Sequence, residues 1–322
     1  MNILTKGYAD LHFKQLIVRD SNQAMAREDG TLLLSFDNSD YEKNDQVSLT
    51  KVLILYEPNA VIPGNYARRR IKRFDLVICL NHFFKNQKSQ KIITLNQPIT
   101  RPSPAFFSHG PRNLERIVMI CDHKFSASRT SYYSIRREII RRLEMRQIPI
   151  DLYGPNWKMP RSIEFRKRFA ALRSTFWIFD NFSINEVFSN MFYNYKHYVG
   201  ESIDKMVTQS RYRFSLVVEN DRHVLSEKLF DSIFAGCITF YIGRSAAEPI
   251  LEDLCIRLPL DLEEAVDRIQ YEMNFDHSDM LMRMKEFVLD VESMRIYSFE
   301  TIARDISRSI KDSCFGNSDI VH

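Results

Sequence analysis

The chain has 322 residues, 44% of them hydrophobic and 27% charged, with a formal net charge of +4. These values are normal for a folded soluble protein and leave room for two domains, each with a sizeable core. No stretch approaches the ~20 consecutive apolar residues that a helix needs to cross a bilayer, which excludes a membrane-spanning helix.

Met1 to Asp20 alternates polar and apolar residues and lacks the regions of a signal peptide. The expectation is therefore a chain that begins and stays in a cytoplasm. Lys51 to Tyr56 is a short apolar run of strand formers, followed by a loop with Pro58, Pro63 and Gly64. A basic segment of helical character follows, Arg68 to Arg73, and then a second apolar run, Asp75 to Leu80. Pro98, Pro102, Pro104, Gly110 and Pro111 form a breaker-rich stretch that reads as a linker.

Beyond it, Arg116 to Cys121 restarts the pattern, with a helix expected from about Ser128 to Arg146 and a strand from Ile148 to Tyr153, closed by Gly154. The aromatic-rich segment Phe176 to His197 reads as packed helix and loop over the second sheet, ahead of a ligand-facing role. Tyr212 to Gly243 is the clearest strand–helix–strand unit. Short apolar runs alternating with amphipathic helices predict βαβ units and parallel sheets, hence two Rossmann-like α/β domains. The expected division is 1–105, 110–297, and a C-terminal helix and tail at 298–322. That helix, near Ser298 to Lys311, is expected to dock back on the first domain, with a disordered tail beyond it.

Cys79, Cys121, Cys237, Cys255 and Cys314 form no CxxC pair and lie largely in apolar runs, so they read as buried reduced thiols. Three runs are basic: Arg68 to Arg73, Arg136 to Arg146, and Arg161 to Arg173. They read either as solvated helix faces or as surface for anionic lipid head groups or a phosphate-bearing ligand. No nucleic acid partner is expected, because no reading motif accompanies them.

The chemistry concentrates in the Tyr212 to Gly243 unit. A strand ends at Val218 and a polar loop runs to Ser226, a natural N-cap, with Glu227 favoured by the helix dipole. Leu229, Ile233 and Phe234 mark the apolar face, and Gly236 is a helix stop. In such folds ligands bind beyond the carboxyl ends of the strands. There a helix N-terminus offers free N–H groups to phosphate, Lys228 adds charge, and Glu227 can accept bonds from ribose hydroxyls. A surface ion pair with a capping carboxylate is the plainer reading of the same spacing.

Here the sequence resembles the α1,3/4-fucosyltransferases, family 10 of the glycosyltransferases. Their signature leads from Tyr-Lys-Phe through an apolar strand to Phe-Glu-Asn. A loop, Tyr-(Val/Ile)-Thr-Glu-Lys, a helix, Ala-Gly and a strand ending in Gly follow. Tyr212-Arg213-Phe214, Val218-Glu219-Asn220, Ser226-Glu227-Lys228, Ala235-Gly236 and Gly243 match in order. Upstream, Arg129, Tyr132 and Ile150-Asp151-Leu152-Tyr153-Gly154 fit a second family pattern. A thinner match, Leu55-Tyr56-Glu57-Pro58, stands where the family has its proposed catalytic base.

The resemblance implies a GT-B fold, with two Rossmann-like domains facing a cleft. It implies GDP-fucose as donor, contacted by Arg129, Asn220, Ser226, Glu227 and Lys228, with Glu219 supporting the loop and Glu57 as base. Val224 replaces a family tyrosine, so Arg222 or His223 takes over its donor contact. Thr239 stands for a usual proline, and Cys121 and Asp122 for a serine and an asparagine. These departures leave a GDP-type donor in place and open the identity of its sugar.

There is no Asp-x-Asp triplet; Asp261-Leu262-Glu263 is the nearest approach and reads as the opening of a surface helix. The eight histidines are scattered and none is assigned to metal. No cofactor is expected and a divalent metal should be dispensable, with Arg129, Lys228 and the helix amides carrying the leaving-group charge. No GxGxxG, P-loop, GxSxG or HExxH is present, which argues against dehydrogenase, NTPase, hydrolase and zincin chemistry. The expected reaction is an inverting transfer to a hydroxyl of an acceptor oligosaccharide or lipopolysaccharide-type glycan, in the cytoplasm or peripheral to the inner face of a membrane. A transferase with another nucleotide sugar, or a non-catalytic anion-binding or nucleic-acid-binding protein, is the alternative.

Overall fold

Two all-parallel sheets carry the fold in a computed structural model, which describes residues 1–7, 9–26, 28–37, 49–84, 91–99, 114–124, 126, 128–157, 193–243, 252–290 and 294–315. The chain divides into two compact units, Met1–Arg101 with Glu292–His322, and Pro102–Val291. The first unit thus takes in the C-terminal helix, and the return to it comes six residues before Ser298. The linker stretch from Pro102 to Pro111, the basic run Arg161 to Arg173 and most of the aromatic segment lie outside the described residues.

In the first unit, β1 (Asn2–Lys6), β2 (Thr31–Phe36), β3 (Leu49–Leu55), β4 (Leu76–Cys79) and β5 (Ile92–Thr94) pair in sequence order. The sequence reading does not separate β1, β2 or the helix α1 (Leu11–Ala24) between them. Alternate residues of β3 serve opposite faces, as a strand buried on both sides must. Val52 and Ile54 join a core with Phe13, Ile17, Ile302 and Ile306, and Leu53 and Leu55 pack with Tyr66, Phe74 and Phe84. The basic run contributes a single turn, α2 (Arg68–Ile71), with Arg68 and Arg69 exposed and Ile71 packed against the core.

The second sheet orders its strands β11 (Ile256–Arg257), β10 (Ile238–Ile242), β9 (Tyr212–Val218), β6 (Leu114–Ile120), β7 (Ile150–Tyr153) and β8 (Tyr198–Gly200). From β6 the chain steps outward through β7 and β8, then returns to lay β9 on the other side of β6. The β6–β9 boundary is therefore the topological switch point, where loops leaving neighbouring strands diverge and open a crevice.

Helix α3 (Tyr133–Met145) covers one face, and α4 (Lys205–Gln209) and α5 (Glu227–Phe234) precede and follow β9. Beyond β11, α6 (Leu262–Glu272) packs against α3, α7 (Ser278–Leu289) follows, and α8 (Phe299–Cys314) belongs to the first unit. Asp261 caps α6, accepting from the amides of Glu263 and Glu264. Cys79, Cys121, Cys237 and Cys255 are buried thiols and Cys314 a half-buried one, none of them in a disulfide.

Two expectations are corrected. Helix α3 starts at Tyr133 rather than Ser128, because Ser128 and Thr130 turn their hydroxyls to each other within the preceding loop. The run Arg136 to Arg146 is neither a solvated face nor a lipid-facing patch. Arg136 and Arg137 are buried, Arg141 and Arg142 pair with the fully buried Glu138, and Arg142 and Arg146 reach Glu263 on α6.

Candidate functional site

The switch point assembles most of the predicted donor residues. Glu219 follows β9 directly and is fully buried. Its carboxylate accepts from the Ser226 amide at 2.8 Å and from the Ser226 hydroxyl at 2.6 Å, which closes the loop of residues 219–226 on itself. Burial pushes the Glu219 carboxyl up, against the pull of Lys228 and the two bonds from Ser226. Ser226 is the N-cap of α5, its hydroxyl accepting from the Lys228 amide. The Lys228 ammonium lies 3.1 Å from the same hydroxyl and 3.4 Å from Glu227.

Glu227, with its side chain 43% exposed, is the first residue of the helix. Burial disfavours its charge, but Lys228, its own backbone amide and Lys205 outweigh that and hold its carboxyl below the ordinary range. A charged carboxylate at a helix N-terminus is also favoured by the helix dipole.

The loop leaving β6 locks onto this one. Ser131 bridges Asp221, the Tyr132 amide donates to the Asn220 carbonyl at 3.0 Å, and the Arg222 amide donates to the Thr130 carbonyl at 3.0 Å. The Thr130 hydroxyl donates to the buried carboxylate of Asp221. Arg129 and Arg222 stand exposed on the two joined loops, two residues before Ser131 and one after Asp221. The Arg222 guanidinium donates to the His223 ring at 3.2 Å, and burial lowers the affinity of that ring for a proton.

Asn220 is turned inward: its side-chain oxygen accepts from Arg136 at 3.1 Å, and the same guanidinium donates to the Val218 carbonyl at 2.6 Å. Arg136 is 2% exposed and was absorbed into a basic run by the sequence reading. The signal was present, since Tyr133, Arg136, Arg137 and Ile140 share one helical face at the i, i+3, i+4, i+7 spacing of buried positions.

A pocket opens at the carboxyl ends of β6 and β9, lined by Cys121, Val218, Lys205, Gln209, Lys228 and Asp231. Lys205, Gln209 and Asp231 are additions to the predicted set. Asp231 lies one turn after Glu227, and burial together with the Glu227 charge pushes its carboxyl up to about 6 despite Lys205 and Lys228. Polar side chains of both signs at the mouth of an apolar crevice suit a ligand with phosphate and hydroxyl groups. Among the described residues no three His, Cys, Asp or Glu side chains converge as metal ligands.

The second family pattern is structural in its strand portion. Asp151 pairs with Arg116 at 2.6 Å and accepts from the Tyr212 hydroxyl at 2.9 Å, near the starts of the strands and away from the pocket.

Glu57 belongs to the first unit and is half-buried, two residues past β3 at the carboxyl end of the strand. Asp37, fully buried just past β2, accepts from the Tyr56 and Glu57 amides at 3.0 and 2.5 Å and from the Asn65 side chain at 2.8 Å. Tyr66 donates to the Glu57 carbonyl at 2.8 Å and accepts from Asn81.

No protein-family model matches the sequence, and no curated protein matches it. The chain is similar in structure to a glycosyltransferase from Rickettsia africae, with a TM-score of 0.54, 10% identity, and 97% and 85% of the two chains covered. It is similar to an α1,3-fucosyltransferase solved with GDP, at TM-score 0.53 and 14% identity over 100% and 92% of the chains. It is also similar to a UDP-forming α,α-trehalose-phosphate synthase from Burkholderia vietnamiensis, at TM-score 0.52 and 12% identity over 94% and 81%. The two parallel-sheet α/β domains resemble the GT-B glycosyltransferase fold.

Proposed function

We propose that the chain is a glycosyltransferase using a nucleoside-diphosphate sugar, with GDP-fucose as donor and a glycan hydroxyl as acceptor. The observation that carries this reading is the capped N-terminus of α5 at the switch point, where Glu227 opens the helix and the next residue, Lys228, lines the pocket at the carboxyl ends of β6 and β9. Lys228 and the amides opening α5 hold the diphosphate, Glu227 accepts from ribose hydroxyls, and Arg129 and Arg222 add charge from the joined loops. The structural neighbour solved with GDP supports the choice of base.

In the reaction, the acceptor oxygen attacks the anomeric carbon of the donor, the bond from that carbon to the diphosphate breaks, and GDP departs with its electrons. Glu57 takes the acceptor proton, and the configuration inverts. The groups proposed to stabilise the departing charge are all on the protein, so no metal is needed. A cytoplasmic setting goes with this reading. Among the described residues Arg68, Arg69, Lys72 and Arg73 are exposed, a basic surface suited to anionic head groups.

Titration calorimetry with GDP, UDP and GDP-fucose, run without metal beside Glu227→Ala and Lys228→Ala, tests the reading. GDP binding should weaken about 10- to 100-fold in Lys228→Ala, the loss of a charged hydrogen bond. Preference for UDP, the nucleotide released by one structural neighbour, would replace the donor and keep the enzyme class. Silence from every nucleotide would discard the transferase reading for a non-catalytic anion binder.

A further inference from the structure

The Glu57 peptide is gripped from both sides. Its N–H and that of Tyr56 point into the Asp37 carboxylate, whose second oxygen is held by Asn65. Its carbonyl accepts from Tyr66, which Asn81 holds in turn from just beyond β4. The carboxyl ends of β2, β3 and β4 therefore converge on one peptide group. An isolated surface loop closes with one or two local bonds, and a neutral Asn or Ser suffices for that.

Here an acid is sealed at 0% exposure beside a second acid. Burial first, and the neighbouring Glu57 charge after it, push the Asp37 carboxyl up to about 7, while the amides of Glu57 and Tyr56 and the Asn65 side chain oppose them. Removing a carboxylate from water is costly, so its presence where a neutral side chain would serve calls for a reason beyond closing a turn.

We propose that Asp37, seconded by Tyr66, is the positioning residue for Glu57, fixing the backbone from which the catalytic carboxylate projects. The proposal rests on the reading of Glu57 as base. A side chain of two rotatable carbons reaches a reproducible point only if its own peptide plane is fixed. Misplacing a reacting group by about 1 Å can cost on the order of 100-fold in rate. Asp37 never touches the substrate in this scheme and acts through Glu57 alone.

The experiment measures GDP released from GDP-fucose, with water as acceptor, in Asp37→Asn, Tyr66→Phe, Glu57→Gln and the exchange Asp37→Asn/Asn65→Asp. In the exchange variant one carbonyl oxygen still faces the two amides, and the new amide at 37 donates to the new carboxylate at 65. Hydrogen exchange at the Tyr56 and Glu57 amides, which needs no substrate, is followed in the same proteins. The expected result is a kcat at least tenfold lower in Asp37→Asn, with donor KM within twofold. Exchange at those two amides should speed up while β2 and β3 stay protected, and both effects should be largely reversed in the exchange variant. Tyr66→Phe should lower kcat less, again without moving KM.

Unchanged amide protection in Asp37→Asn, or a kcat that falls only with the folded fraction, overturns the proposal while Glu57→Gln still abolishes turnover. If Glu57→Gln turns over normally, the base assignment itself falls and takes the positioning role with it.

Discussion

Arg136 is the side chain whose removal should be felt most widely in the second unit. Its guanidinium ties the last carbonyl of β9 and the Asn220 side chain, and through its other arm approaches the Asp122 carbonyl just past β6 at 3.4 Å. Arg136→Met keeps much of the volume and leaves those acceptors buried. A stability loss of about 2–3 kcal/mol is expected in denaturant unfolding, with weaker GDP binding as the loops separate.

Asp37 makes a second prediction at this scale, in pH. Its folded-state value of about 7 lies above the ordinary 3.8. Between those values the native protein binds more proton than the unfolded chain, so this group makes stability fall as pH rises from about 4 to about 7, and flatten above. Glu57, Asn65 and Tyr66 are the groups facing it. In Asp37→Asn that part of the slope should vanish, which melting curves at pH 5 and pH 8 can read. An unchanged slope would mean that the carboxyl titrates as an ordinary exposed acid.

Among elements, the strand–helix–strand unit from Tyr212 to Gly243 was legible because each boundary has a local chemical cause. The Leu216–Val217–Val218 run fits a strand buried on both faces, Ser226 caps, and Gly236 takes the left-handed conformation at φ +70° just past α5. The start of α3 was not legible. Ser128 looks like a cap in sequence, yet its partners and those of Thr130 include Asp221, about ninety positions further on. Asp37 was hidden for the same reason, since its partners are the Tyr56 and Glu57 amides just past β3 and the Asn65 side chain, about twenty to thirty positions further on.

Gly154 shows where an element tolerates no side chain. It ends β7 at φ +127°, and a Cβ there would lie 2.2 Å from the Cys121 carbonyl oxygen, which also accepts from Trp157 at 2.7 Å. Gly154→Ala combines a strained backbone with a clash against backbone, so a loss of more than about 1–2 kcal/mol is expected. Unchanged thermal unfolding would mean that β7 shifts freely against β6.

At the scale of the molecule, the division into two parallel-sheet units followed from counting apolar runs, and the C-terminal helix docks on the first unit as its sequence led one to expect, through contacts that span almost the whole chain. Ser21 and Ser307 meet at 3.0 Å between α1 and α8, and Ile302, Ala303, Ile306 and Ile310 are buried in the core of the first sheet. Ending the chain after Tyr297 should therefore unfold the first unit and spare the second. Calorimetry should then show one transition with GDP binding retained, whereas loss of both units would mean that neither folds alone.

That interleaving has a consequence for synthesis. The strands of the first unit leave the ribosome before the second unit, but the helix that covers one face of their core, α8, leaves only after it. At about 5–20 residues per second the uncovered β-sheet waits on the order of ten seconds or more while the whole second unit is made. During that interval its apolar face is open to chaperones and to other nascent copies on the same messenger. Yield in a cell should then depend on translation speed as well as on the stability of the finished protein.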